Sequence, residues 1–193
     1  MATTFGLGTE PGTRWRALMR RWRRQSRAGS AIVEFAMIAP VFFLLLFSIM
    51  EVGIIFYAQS TLQFAAEDVG RLVRTGQAQN GAMTQGQVRN RVCTDIQPLI
   101  PCSGDLFVDI EAFPNFTGII FSPPVDPNGN MIPLNNFQLG QACSVVLVRV
   151  FYQWPVFTPT LTPFLSNLAN KKHLLYAASA FRNEPYSTGI SGC

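Results

Sequence analysis

Residues 35–58 read FAMIAPVFFLLLFSIMEVGIIFYA, 24 positions with one charged side chain, Glu51. Wound as an α-helix at about 1.5 Å per residue, the stretch reaches about 36 Å, enough for the roughly 30 Å of hydrocarbon in a bilayer. The apolar core of a cleaved secretory signal runs only about 7–15 residues, so this run is too long to be one. The same length objection removes a twin-arginine signal. The stretch reads as a membrane-spanning helix.

The charges around it give the span a direction. Residues 1–29 hold seven arginines (Arg14, Arg16, Arg20, Arg21, Arg23, Arg24, Arg27) against one acid, Glu10, a net +6. Residues 30–193 hold eight basic and ten acidic side chains, a net −2. The basicity of the chain therefore belongs to its leader. Arginines next to a span hold that end on the cytoplasmic side, so they point to orientation rather than to nucleic acid. Everything after the span is then outside the cytoplasm. Charged residues are only 13% of the chain and hydrophobic ones 48%, which is low in charge for a soluble domain.

Helical spacing continues past Ala58. Leu62, Ala65, Ala66, Val69, Leu72 and Val73 recur along one face, and Glu67 and Asp68 stand four and three residues before Arg71 for pairing on the other. The stripe serves either packing on the chain's own following domain or helix–helix assembly. The helix is expected to run to about Thr75, stopped by Gly76 and then Asn80-Gly81. A short helix over Thr84–Val92, ending at Cys93, is expected next. Then the pattern becomes that of strands. In Leu106–Phe113, Leu106, Val108, Ile110 and Ala112 alternate with Phe107, Asp109 and Glu111. Ser144–Trp154 is almost continuously apolar, the pattern of a central strand. Lys172–Arg182 is a third. Pro123-Pro124 and Asp126-Pro127-Asn128-Gly129 mark one loop, and Pro155, Pro159 and Pro163 another. The expected fold is α+β: a long N-terminal transmembrane helix continuing into a small antiparallel sheet.

All four cysteines, Cys93, Cys102, Cys143 and Cys193, follow the span. In an oxidising compartment an even count implies two disulfides, with three connectivities open. The short, proline-containing segment between Cys93 and Cys102 favours that pair, leaving Cys143 to tie down the tail at Cys193. No metal site is indicated: there is no Cys-x-x-Cys, and the single histidine, His173, reads as part of a surface turn beside Lys171 and Lys172. No phosphate loop, Gly-x-Ser-x-Gly or other catalytic constellation occurs. Asp109 and Glu111 read as carboxylates on a solvated strand face, and Glu184 as a local pair or cap. No catalytic residue and no cofactor is expected.

The stretch Arg27-Ala-Gly-Ser-Ala-Ile-Val-Glu-Phe-Ala carries the remaining information. A carboxylate one turn inside an apolar span costs at least ~2.5 kcal/mol at helix-centre depth, unless it snorkels to the interface. Gly29, then Ser30, then Glu34 five residues past Gly29, then Phe35, after an arginine cluster, resembles a prepilin leader. It resembles most closely the TadE/TadG-like pseudopilins of tight-adherence (Flp) type IVb pilus systems. The likeness continues through Pro40, Glu51-Val-Gly53, Ala65-Ala66 and Arg71, and returns in Phe181-Arg182-Asn183-Glu184-Pro185-Tyr186.

The resemblance implies a three-part chain: a cytoplasmic leader over 1–29, a transmembrane and extended amphipathic helix over 30–78, and a periplasmic α+β domain over 79–193. It implies cleavage between Gly29 and Ser30 by prepilin peptidase. It also implies an assembly or register role for Glu34, Phe35, Pro40 and Glu51, with Glu34 facing the new amine of a neighbouring subunit. Pro40 lacks the N–H of a helical hydrogen bond, so a kink is expected there. Glu51 is either a functional intramembrane acid or, the favoured reading, a side chain reaching the outer interface. The implied partners are membrane lipid, the peptidase, other pilin-like subunits and inner-membrane pilus assembly proteins. The implied place is the bacterial inner membrane as a single-pass protein, in or at the base of a pilus. The alternative is an unprocessed bitopic anchor whose outer domain binds an envelope partner.

Overall fold

The computed structural model describes residues 12–102, 104–132, 134, 136–186 and 193, with side chains from Gly29 onward. The composition of residues 1–29 predicts a disordered or loosely helical segment: residues 1–11 lie outside the described residues, and from Gly12 the segment is helical. The chain divides into two compact units, Met1–Phe47 and Ser48–Cys193. Helix α1 is Gly12–Arg74 and contains Pro40. Its portion Gly29–Arg74 is long and apolar enough to cross a membrane, and none of its most apolar stretch is buried by protein.

The second unit is built on a three-stranded antiparallel sheet in the order β1-β2-β3: β1 is Leu106–Phe113, β2 Val145–Pro155 and β3 Lys172–Arg182. Leu106 faces Tyr152 and Phe113 faces Val145 across the first ladder; Val145 faces Arg182 and Pro155 faces Lys172 across the second. The near-continuous apolar run of β2 does make it the central strand, because both its faces are covered. Val146, Val148 and Val150 turn to one side, with Leu106, Val108 and Ile110 of β1, and meet the stripe of α1. Of that stripe, Leu62, Ala65, Ala66, Val69 and Val73 are fully or almost fully buried, while Leu72 is only half-buried. The stripe packs on the chain's own domain. It also begins earlier than its visible period, at Ile55 and Ala58. Gly70 is where helix and strand come closest: a Cβ there would press on Phe181 and Ser179 of β3.

Helix α1 lies beside β3 and runs in its direction, Gln59 reaching Tyr176 and Gln63 reaching Ala178. Gln59 does what a fourth strand would do. Its amide donates to the Tyr176 carbonyl at 2.6 Å and accepts from the Tyr176 N–H at 3.3 Å. The β1 edge is closed by other means. Gln85 and Arg89 donate to the carbonyls of Val108 and Leu106 at 3.5 Å, and Ile110 exchanges backbone hydrogen bonds with Asn136 and Gln138.

Helix α1 ends at Arg74, one residue short of the expected Thr75, and Gly76 takes the left-handed φ of 76° that only glycine adopts freely. A single turn follows, α2, Gln77–Asn80. Helix α3 is Gln85–Ile96, capped by a reciprocal Thr84–Gln87 box. It does not stop at Cys93 as expected, because Val88, Val92, Cys93 and Ile96 share one buried face that continues past the cysteine. After β1 come a 3-10 turn, Phe116–Gly118, and the Asp126–Gly129 turn. Asp126 there accepts from the N–H groups of Asn128 and Asn130. A short helix α4, Thr162–Leu165, lies in the β2–β3 connection.

The charges on α1 do not pair quite as their spacing predicts. Arg71 goes to Asp68 at 3.1 Å, while Glu67 takes the Gln63 amide instead. Asp68 also holds Arg91 of α3 at 2.9 Å, and Arg91 lies 3.7 Å from Asp95. Burial pushes the Asp68 carboxyl up, but hydrogen bonds and charge from Arg91 and Arg71 outweigh it and hold the group below its ordinary 3.8. Its contribution is present at neutral pH and is lost as pH falls through that lowered value. Asp95 behaves oppositely. Burial raises it, Arg91 opposes the rise and the charge of Asp68 adds to it. Its contribution is present below 3.8 and is lost as pH rises through the raised value. Asp95→Asn is therefore expected to raise the thermal midpoint at neutral pH and to leave it unchanged near pH ~3. A lower midpoint at neutral pH would show that Asp95 is needed as an anion.

Candidate functional site

The leader-boundary residues lie on one continuous stretch of α1. Gly29, Ser30, Glu34, Phe35 and Pro40 are all exposed, and a Cβ built on Gly29 meets nothing within 4 Å. Among the described residues no side chain crowds Gly29, although the Gly29–Ser30 bond itself lies within the helix. Ser30 and Glu34 are one helical turn apart, and the Ser30 hydroxyl donates to Glu34 Oε1 at 3.3 Å. Phe35 and the apolar residues after it present their side chains outward, as a surface meant for lipid or for another helix must.

Glu51 is placed quite differently. It is 6% exposed. Its two carboxylate oxygens accept from consecutive backbone N–H groups in the β2–β3 connection, Phe157 at 2.6 Å and Thr158 at 3.0 Å. Both partners are main-chain groups of its own unit. Glu51 anchors their loop. Sequence reasoning missed this because the partners are main-chain groups, which leave no trace in residue identity. The nearby Gly53 has open space where a Cβ would be.

The C-terminal motif closes on the end of α1. Phe181 lies against Gly70, and Glu184 pairs with Arg74 at 3.3 Å while its N–H donates to the Arg74 carbonyl. The Tyr186 ring occupies the space a side chain at Gly76 would need. Burial pushes the Tyr186 hydroxyl up, hydrogen bonds with Asn183 and Gln79 opposing. Asn183 is buried and its amide donates to the carbonyls of Leu139 and Gln141. Among the described residues two disulfides occur, Cys93–Cys102 at α3 and Cys143–Cys193 at the start of β2. The second brings the last residue of the chain to Asn183 and Arg182, whose guanidinium donates to the Cys193 carbonyl.

Two expectations on the sheet need correcting. Asp109 is not solvated. It is 0% exposed and binds Arg149 of β2 through two donors, Nε at 2.9 Å and an Nη at 2.6 Å. Glu111 takes the same guanidinium at 3.3 Å. The loops after β1 and β2 cover this second face of the sheet, with Phe151 stacked on Tyr176 and packed with Leu168 and Leu174. Alternation revealed the face but not its cover. His173 is half-buried rather than in an open turn, its Nδ1 meeting the Leu165 carbonyl at 2.5 Å. No cluster of His, Cys, Asp and Glu able to hold a metal occurs among the described residues.

Exposed Gly29, the Ser30–Glu34 pair and the buried stripe up to Arg71 thus form one uninterrupted helical segment, and residues 29–71 match a family model described as TadE-like protein. The likeness is confined to this helical segment. No curated protein and no solved structure matches the chain. The TadE-like segment opens at Gly29 and takes in Ser30, Glu34, Phe35, Pro40 and Glu51. It ends before the sheet and before all four cysteines. It also includes Gly70 and, as far as Val69, the stripe packed on β1–β3, so it covers the apolar span and most of the part of α1 that enters the second unit's core.

Proposed function

We propose that the chain is a pilus-system subunit of the TadE-like kind, cut between Gly29 and Ser30 by a membrane prepilin peptidase. We further propose that its span holds it in the bacterial inner membrane and that other pilin-like subunits and assembly proteins are its partners. The observation that carries this reading is that the TadE-like match begins at Gly29 itself, the residue the leader spacing assigns to the cut. The open space beside Gly29 supports it, since no described side chain would have to move before the helix is opened for cleavage. The arginine-rich leader supports a cytoplasmic N-terminus and a periplasmic second unit.

Cleavage creates an α-amine on Ser30, with an ordinary pKa of about 7.7–8.0, one turn from Glu34. Opposite charges in lipid attract far more strongly than in water. Glu34 then serves as a register pin, held near Ser30 until a neighbouring subunit's amine replaces that contact. In a host with the peptidase, intact mass is expected to place the mature N-terminus at Ser30. A mature chain starting at Met1 or Ala2 would instead favour the unprocessed anchor.

The pin has its own test. Glu34→Gln and Glu34→Leu both remove a charge from the span, so both are expected to insert and to be processed. Both are expected to lose most crosslinks to partner subunits, because the amine is left unpaired in lipid. Parent-level crosslinking by Glu34→Leu would reduce Glu34 to a tolerated interfacial charge.

A further inference from the structure

Glu51 stands seven residues before Ala58, the last position of the apolar run, which is about 10 Å of helix. The N–H groups of Phe157 and Thr158 are bonded to its carboxylate. The β2–β3 connection therefore leaves the sheet and descends along the apolar part of α1 to the level of Glu51. Its direction is consistent with the sheet. Because α1 and β3 run the same way, the Pro155–Lys172 end of the ladder is the end nearer the span.

The composition of this connection changes to match. From Val150 to Asn170 there is no charged side chain, and charge resumes only at Lys171-Lys172. Phe157 is 69% and Phe164 83% exposed, and Ile54, Phe56 and Tyr57, within two turns of Glu51 on α1, are exposed as well. Backbone polar groups at membrane depth must be satisfied within the protein. Here Pro155, Pro159 and Pro163 have no N–H to satisfy, Phe157 and Thr158 use Glu51, and Leu161, Phe164, Leu165 and Ser166 bond to carbonyls of the same loop. The Thr162 and Ser166 hydroxyls turn inward onto the carbonyls of Thr158 and Thr162. Large aromatic side chains turned outward from a loop most of whose backbone N–H groups are bonded within the protein or absent at proline are suited to lipid.

We propose that residues 155–165 form a second membrane-contacting element, which seats Phe157 and Phe164 in the bilayer leaflet where the span emerges. Lipid, rather than another protein, is the occupant because this surface continues the span's own apolar surface at the same helical level. The inference rests on the reading of α1 as a membrane span, and the test separates the two.

The full chain is prepared with photoreactive benzoylphenylalanine replacing Phe164, Phe157, Phe42 or Phe116, one position at a time. Each form is reconstituted in vesicles of phosphatidylethanolamine and phosphatidylglycerol, illuminated, digested and weighed. Phe42 lies in the apolar run. Phe116 is exposed just past the Phe113 end of β1, about 23 Å along the strand from Leu106. Lipid adducts are expected at 164, 157 and 42, and none at 116. Adducts at 42 without any at 157 and 164, or crosslinks from 164 to a second copy of the chain, would overturn the inference and leave the span standing. Absence of lipid at 42 would overturn the span, and this inference with it.

Discussion

Arg149→Met alone is expected to destabilise the second unit by about 3–5 kcal/mol, the cost of leaving a buried carboxylate without its counter-ion. Asp109 is wholly enclosed, and its second oxygen, Oδ1, has no partner to fall back on. Glu111, partly exposed, loses less, since water reaches it. Removing both charges is a different experiment. Asp109→Leu with Arg149→Met is expected to recover most of the loss, because apolar side chains of similar size leave no orphaned ion between the sheet and its covering loops. Thermal unfolding of the full chain in detergent micelles reads both. A double variant as unstable as Arg149→Met would show that the ion pair positions the 119–121 loop through the Arg149–Ile120 contact in a way apolar packing cannot replace.

The second large effect belongs to Glu51. Each of its hydrogen bonds joins a charged acceptor to a backbone donor, a class worth about 1.5–3 kcal/mol. Part of that is offset by the cost of burying the carboxylate. Glu51→Ala is expected to weaken the loop locally by roughly 2–4 kcal/mol, so that amide exchange at Phe157 and Thr158 accelerates about a hundredfold. Glu51→Gln keeps one carbonyl oxygen and turns an amide toward the other N–H, so its acceleration should fall between parent and Glu51→Ala. Unchanged exchange in Glu51→Ala would mean that the loop is held by its own packing.

Three strands, their central member and the long helix were legible because each has a contrast of residue types to read. Val145–Pro155 lacks charge except Arg149, and Leu106–Phe113 alternates. Where contrast fails, so does the reading. The buried face of α1 begins at Glu51 and Ile55, but every neighbour there is apolar, so no period marks the inward side. Asp109 reads as a solvated acid in the sequence because the arginine that meets it is 40 residues away. The C-terminal motif could be read as a resemblance, but its physical role could not. Gly70, Arg74 and Gly76 are opposite Phe181, Glu184 and Tyr186 only after a sheet has formed between them. Of the leader residues, Gly29, Ser30 and Glu34 were legible as a spacing, and the fold adds their openness.

The glutamine that stands in for a fourth strand has a consequence for how copies of this chain meet. A protein concentrated in one membrane presents its outer units to each other at close range. A bare strand edge there recruits identical edges indiscriminately and without a fixed end. Gln59 occupies both hydrogen-bonding groups of Tyr176, and Gln85, Arg89 and the 136–138 segment occupy those along β1. Strand pairing between neighbours is blocked at those positions, while among the described residues the apolar side chains of α1 from Ile32 to Phe47 stay uncovered.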